Sequence, residues 1–198
     1  MGRLAIILIC VLAGFAPAFA LDADIESILA RQKLGKPVNM TDATQLMLGA
    51  EIWCYDPSEG QCGWSEIYLS VTDNLAIYDA SNAWDDVYDI HLVNRGELRE
   101  NRYICDFSFD WRPSVRISRR SDGKAVNGRE FDALSSDISG SGPPISENCY
   151  DFVFQSADDE VITLIMRQFL DGEHEADLDA VVELYFDPER AAAITWTY

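Results

Sequence analysis

The chain has 198 residues, of which 34 are acidic and 15 basic, for a formal net charge of −19. That balance repels nucleic acid and anionic membrane surfaces and excludes both as main partners. It is nonetheless a folding composition, with 48% hydrophobic residues, only 25% charged and five tryptophans.

Residues 1–20 have the layout of a secretory signal peptide. Arg3 supplies the positive charge, residues 4–16 (LAIILICVLAGFA) the apolar run, and Ala18-Phe19-Ala20 after Pro17 an A-x-A-like cleavage site. The apolar run is too short to span a bilayer, which takes roughly 20 residues. A lipoprotein signal would acylate Cys10, but Ile9 stands where such signals place a small residue. Residues 21–198 are therefore expected to form one exported globular domain, periplasmic or secreted and not membrane-spanning. Losing Arg3 leaves it more acidic still.

The first expected element is a helix over 22–34, with Ile25, Ile28 and Leu29 on one face and Gly35 and Pro37 as its stop. A second helix is expected near Thr41, with Thr41 or Asp42 as N-cap and Leu46 and Met47 inward. From about Ala50 the periodicity becomes that of strands. WSEIYLSV at 64–71 sets Ile67, Leu69 and Val71 against Glu66, Tyr68 and Ser70. DVYDIHLV at 86–93 sets Tyr88, Ile90 and Leu92 against Val87, Asp89, His91 and Val93. Further strands are expected at 102–109, 114–119, 150–156, 160–170, 181–186 and 193–198, with hairpin turns at Asp122-Gly123 and at 157–159. Val161–Met166 is apolar on both faces, which predicts a central buried strand. Residues 132–148, with Gly140, Gly142, Pro143 and Pro144, read as a long irregular loop.

Without Cys10, four cysteines remain, and an even number in an exported chain predicts two disulfides with three possible pairings. Cys54 and Cys62 flank a turn-forming segment, so the preferred pairing is Cys54–Cys62 with Cys105–Cys149. By loop-closure entropy the two bridges contribute about 2.5 and about 4 kcal/mol. The cysteine spacing and the two histidines, His91 and His174, do not suit zinc.

The expected fold is α+β and disulfide-bonded: two short N-terminal helices followed by a mainly antiparallel β-sheet or sandwich. A small outer-membrane β-barrel, suggested by the alternating aromatic C-terminus Ile194, Trp196 and Tyr198, is the minor alternative. No segment carries a catalytic, metal, nucleotide or other cofactor signature that names a reaction. Asp171, Glu173, Glu175, Asp177 and Asp179 alternate in an acidic loop but break the EF-hand pattern, where Ala176 replaces the glycine. Basic residues concentrate at 95–129, and Arg102, Arg112, Arg116 and Arg120 are the candidate ligand-binding residues, forked donors for an anionic ligand or a protein partner. The competing reading is that these arginines pair with neighbouring acids. The functional expectation is an exported, non-enzymatic binding or interaction protein. The alternative from another class is an exported hydrolase using paired carboxylates.

Overall fold

The computed structural model describes residues 21–106, 109–140 and 148–198. The expected signal peptide and the second half of the irregular loop lie outside the described residues. Helix α1 is Ala23–Leu29, capped by the Asp22 carboxylate on the N–H groups of Asp24 and Ile25. It is shorter than expected because Arg31 and Gln32 turn aside to bond Asp42, and Gly35 takes φ 71°. Residues 35–38 then pair with the strand at 152–154. Helix α2 is Met40–Gly49, and its N-cap is Asn39 rather than Thr41 or Asp42. Leu46 and Met47 are buried, as expected.

The strands are β1 (Ile52–Tyr55), β2 (Gln61–Cys62), β3 (Trp64–Val71), β4 (Leu75–Ala83), β5 (Tyr88–Arg99), β6 (Tyr103–Asp106) and β7 (Arg116–Arg119), then β8 (Asn148–Ala157), β9 (Val161–Leu170), β10 (Glu173–His174), β11 (Ala180–Tyr185) and β12 (Thr195–Trp196). Helix α3 spans Gly128–Gly140 and α4 Pro188–Ala193. Pairing runs β9-β11-β1-β3-β4-β5-β6-β8, antiparallel throughout, and β8 pairs again with β9 over its whole length. The sheet therefore closes into an eight-stranded barrel, not the open sheet or sandwich expected from sequence. Closure removes the edges that an open sheet would have to protect. β7 extends the sheet alongside β5, and β12 pairs in parallel with β2.

Both expected disulfides are present. Cys54–Cys62 joins β1 to β2, and Cys105–Cys149 crosses between directly paired residues of β6 and β8. The expected loop at 132–148 is corrected in its first part: Phe131, Leu134 and Ile138, at helical spacing in α3, pack with Ile90, Val115 and Ile117 in a second, smaller core. The strand expected at 193–198 is α4 followed by the two-residue β12. β9 is no stave of a flat central strand. Ile162, Leu164 and Met166 point into the barrel, and the intervening residues are only partly covered on its wall.

The two ends of the barrel differ. The end formed by the close of β3, β5, β8 and β11 and the start of β1, β4, β6 and β9 is sealed by α1 and α2. There Ile25, Ile28, Leu46 and Met47 pack with Trp53, Phe152, Leu164 and Leu184 in the main core. Trp53 meets the edges of Tyr68 and Phe152 at ring-centroid distances of 5.3 and 5.1 Å. Moving towards the other end, the inward residues turn polar on several strands. Ile104 gives way to Asp106 on β6, Phe152 to Tyr150 on β8, Met166 to Gln168 on β9, and Leu98 to Asn94 on β5. Gly96, between those last two, faces Ile104 so closely that a Cβ would sit 2.4 Å from its Cγ1.

Candidate functional site

The polar half of the barrel holds a half-open cavity of about 220 Å³. β3 contributes Trp64, Glu66 and Tyr68 to it, of which Glu66 and Tyr68 are on the face that the sequence reading sets against Ile67, Leu69 and Val71. Ile67 and Leu69 instead point outward and are 44% and 55% exposed. A bulge after Tyr68 leaves Leu69 unpaired and returns Val71 to the core side, where it pairs with Ala76. The phase of β3 is thus inverted relative to a hydrophobic-in reading, and the inversion places a carboxylate inside.

Glu66 Oε2 accepts hydrogen bonds from the hydroxyls of Tyr55 (2.7 Å) and Tyr68 (2.9 Å). Burial pushes the Glu66 carboxyl up to about 7, opposed by those two hydrogen bonds and reinforced by repulsion from Asp106. Asp106 Oδ2 accepts from Tyr150 at 2.9 Å, and Tyr78 and Asn148 also bond this carboxylate. Burial raises Asp106 as well, against those three hydrogen bonds. Tyr55, Tyr68, Tyr78 and Tyr150 are all pushed upward by burial and by the carboxylates beside them, so their hydroxyls remain protonated donors. Asn94 Nδ2 donates to the Tyr78 hydroxyl at 3.2 Å, and Trp64 stacks on Tyr55 at 4.6 Å with the rings 7° apart. No basic side chain is among the described residues lining the cavity.

The four arginines singled out from sequence do not line it. Arg116 and Arg120 do share the outer face of the barrel, as strand alternation requires. Each is paired there: Arg116 with Asp79, and Arg120 with Asp89 at 3.3 Å and the carbonyl oxygens of Asp85 and Trp196 at 3.1 and 2.5 Å. Arg102 bonds Asp151 at 2.7 Å, and Arg167 grips the same fully buried carboxylate from β9. Arg112 sits on a 3-10 turn, where its Nε donates to Asp110 at 2.6 Å. The structure brings Arg116 and Arg120 to one wall and leaves Arg102 and Arg112 in separate ion pairs.

His91 is also on the outer wall, 2.8 Å from Ser81 Oγ and 3.3 Å from Ser118 Oγ, with its ring against Trp196. Burial lowers its pKa, which favours the neutral imidazole. In the acidic loop His174 Nε2 bonds Asp179 at 2.8 Å. Among the described residues no group of three or more His, Cys, Asp or Glu side chains is placed to hold a metal.

The sequence signal for the lumen was the spacing Trp64-x-Glu66-x-Tyr68 together with the tyrosines at 55, 78 and 150. It becomes readable only once these strands are known to face one interior. No protein-family model matches the chain, and neither a curated protein nor a solved structure matches it.

Proposed function

We propose that this is an exported binding protein whose ligand occupies the polar half of the barrel lumen. The observation that carries this reading is a cavity of about 220 Å³ in which carboxylates, tyrosine hydroxyls and amides converge among aromatic rings. Binding sites are concave, mostly apolar, with a few placed polar groups, and barrel mouths are a usual location. The volume lies below the roughly 300–1,000 Å³ of drug-sized sites, so the ligand is a small one. The two disulfides fit an oxidising compartment, and with the signal-like residues 1–20 they favour the periplasm or secretion.

The outer wall favours a barrel that works in water. Asp79–Arg116, the Arg102–Asp151–Arg167 triad and Glu97–Arg99 all lie on it, where a membrane barrel presents an apolar band to lipid. Among the described residues no helix is long and apolar enough to cross a membrane. The hydrolase alternative draws support from one observation, the Glu66 carboxyl near pH 7, which suits a general acid. Turnover of chromogenic glycosides or esters that disappears in Glu66→Gln would favour it.

The test of the binding reading is Ala80→Phe, which fills the lumen from β4. A panel of small amines, polyols, amino acids and carboxylates is screened by intrinsic tryptophan fluorescence and thermal midpoint. At least one class is expected to bind the native protein and to lose at least tenfold in affinity with Ala80→Phe, the far-ultraviolet spectrum being unchanged. Ligands that bind both proteins equally would place the site elsewhere.

A further inference from the structure

We infer that the ligand of the lumen is a small organic cation, its ammonium group held by Glu66 and Asp106 within a wall of tyrosine rings. This rests on the lumen being the binding site and goes on to name the chemistry it selects. Two carboxylates from different strands, β3 and β6, face one half-open cavity and are close enough to repel each other. An anionic ligand would add a third negative charge there with no basic side chain among the described lining residues to receive it. A neutral polyol would leave that repulsion in place. A cation removes it, because burial strengthens the attraction that water would otherwise screen.

The aromatic residues point the same way. Tyr55, Trp64, Tyr68, Tyr78 and Tyr150 wall the cavity. The hydroxyls of Tyr55, Tyr68 and Tyr150 are already committed to the carboxylates, which leaves the rings themselves as the ligand surface. Ring faces attract ammonium groups, and most strongly when both are out of water. The Tyr55 and Tyr68 hydroxyls both donate to Oε2 of Glu66, and a carboxylate has two oxygens with which to accept further donors from a ligand. The strongly negative chain as a whole also draws cations towards the molecule.

Binding is then linked to protons. The titratable groups facing Glu66 are Tyr55 from β1, Tyr68 from its own strand, Tyr78 from β4, Asp106 from β6 and Tyr150 from β8. The tyrosines stay protonated over the working range, so the change between pH 6 and 8 belongs to the two carboxyls, foremost Glu66 at about 7, with Asp106 also raised by burial. A cation must displace its proton below about pH 7. Affinity should therefore fall about tenfold from pH 8 to pH 6, since roughly nine in ten molecules are protonated at the lower value.

The probes are choline, methylammonium and 3,3-dimethylbutan-1-ol, the uncharged isostere of choline, measured by titration calorimetry alongside the wider panel. Choline or methylammonium is expected to bind at least tenfold tighter than the alcohol, and to weaken about tenfold on going to pH 6. Glu66→Gln should remove most of that pH dependence and lose tenfold or more at pH 8. Asp106→Asn gives a second, independent loss should Glu66→Gln lower the unfolding midpoint. Equal binding of alcohol and cations, or lumen binding confined to another class and sensitive to Ala80→Phe, overturns the cation while leaving the lumen as the site. Failure of every compound to show Ala80→Phe-sensitive binding overturns the lumen itself.

Discussion

Two carboxylates at opposite ends of the barrel, Asp42 buried under the helices and Glu66 half-buried in the lumen, are treated in opposite ways. At the helical end Asp42 is 3% exposed and is gripped by Arg31, Gln32 and Asn39. Burial alone would raise its pKa, but the hydrogen bonds and charge of those partners outweigh burial and hold it below the usual carboxylate range. In the lumen Glu66 has only neutral hydroxyls as partners, burial wins, and its carboxyl rises to about 7. A paired buried carboxylate ties elements together. An uncompensated one stores a cost that a ligand can relieve, which is why the lumen and not the outer wall is the candidate site.

The sharpest way to break the comparison is at the most completely paired carboxylate. Asp151→Ala leaves the guanidinium groups of Arg102 and Arg167 facing each other with their partner gone. A loss of about 3–5 kcal/mol in urea unfolding is expected. A change below about 1 kcal/mol would mean that the triad is no more than a surface pair.

Next in size, and opposite in sign, is Glu66→Gln. Because the folded-state pKa lies above the unfolded one, the native state binds the extra proton between about pH 4.5 and pH 7. Stability should therefore decline as pH rises through that window. Gln imitates the protonated acid, so the variant should lose this slope and gain about 2–3 kcal/mol at pH 8 without ligand. Asp42 contributes the other limb of the profile. Its folded-state pKa is lowered, so its contribution is present above the ordinary carboxylate range and disappears as pH falls through the lowered value. A profile flat from pH 4.5 to 8 would count against an uncompensated Glu66.

The smallest effects separate the two outward arginines. Arg120→Ala removes bonds to two backbone carbonyls as well as to Asp89 and frees the C-terminal segment at Trp196, for about 1–2 kcal/mol. Arg116, whose side chain is 56% exposed, should cost less than about 1 kcal/mol when replaced by Ala. Equal losses would show that exposure does not distinguish them.

Strand positions and disulfides were readable because they depend on local chemistry: alternation at 64–71, an apolar run within 160–170, and a turn-forming stretch between Cys54 and Cys62. Less local features were not. The segment 75–83 (LAIYDASNA) was missed as a strand because its polar residues hide the period. Helix α3 was missed because three apolar residues sit among serines, glycines and acids. The N-cap at Asp187 followed by Pro188 did carry a local helix signal for α4.

The site was the least legible part. Alternation along β3 divides Glu66 from Ile67 but does not say which is inside, and a one-residue change of phase reverses the answer. A carboxylate-bearing face reads as solvent-facing until the strand is known to belong to a closed wall. Likewise, the apolar run Val161–Met166 reads as a strand buried on both faces, which a barrel stave is not. Its wall-facing residues are half covered, and its inward ones fill the core. The sequence by itself determined acidity and most strand positions and pointed to the disulfide pairing that the structure shows, since each depends on residues close together or on simple counts. Only the tertiary structure decided that β8 and β9 close the sheet and that four tyrosines and two acids share one interior. Closure depends on the register of strands far apart in the chain, and period-two alternation is the same for a flat sheet and for a barrel.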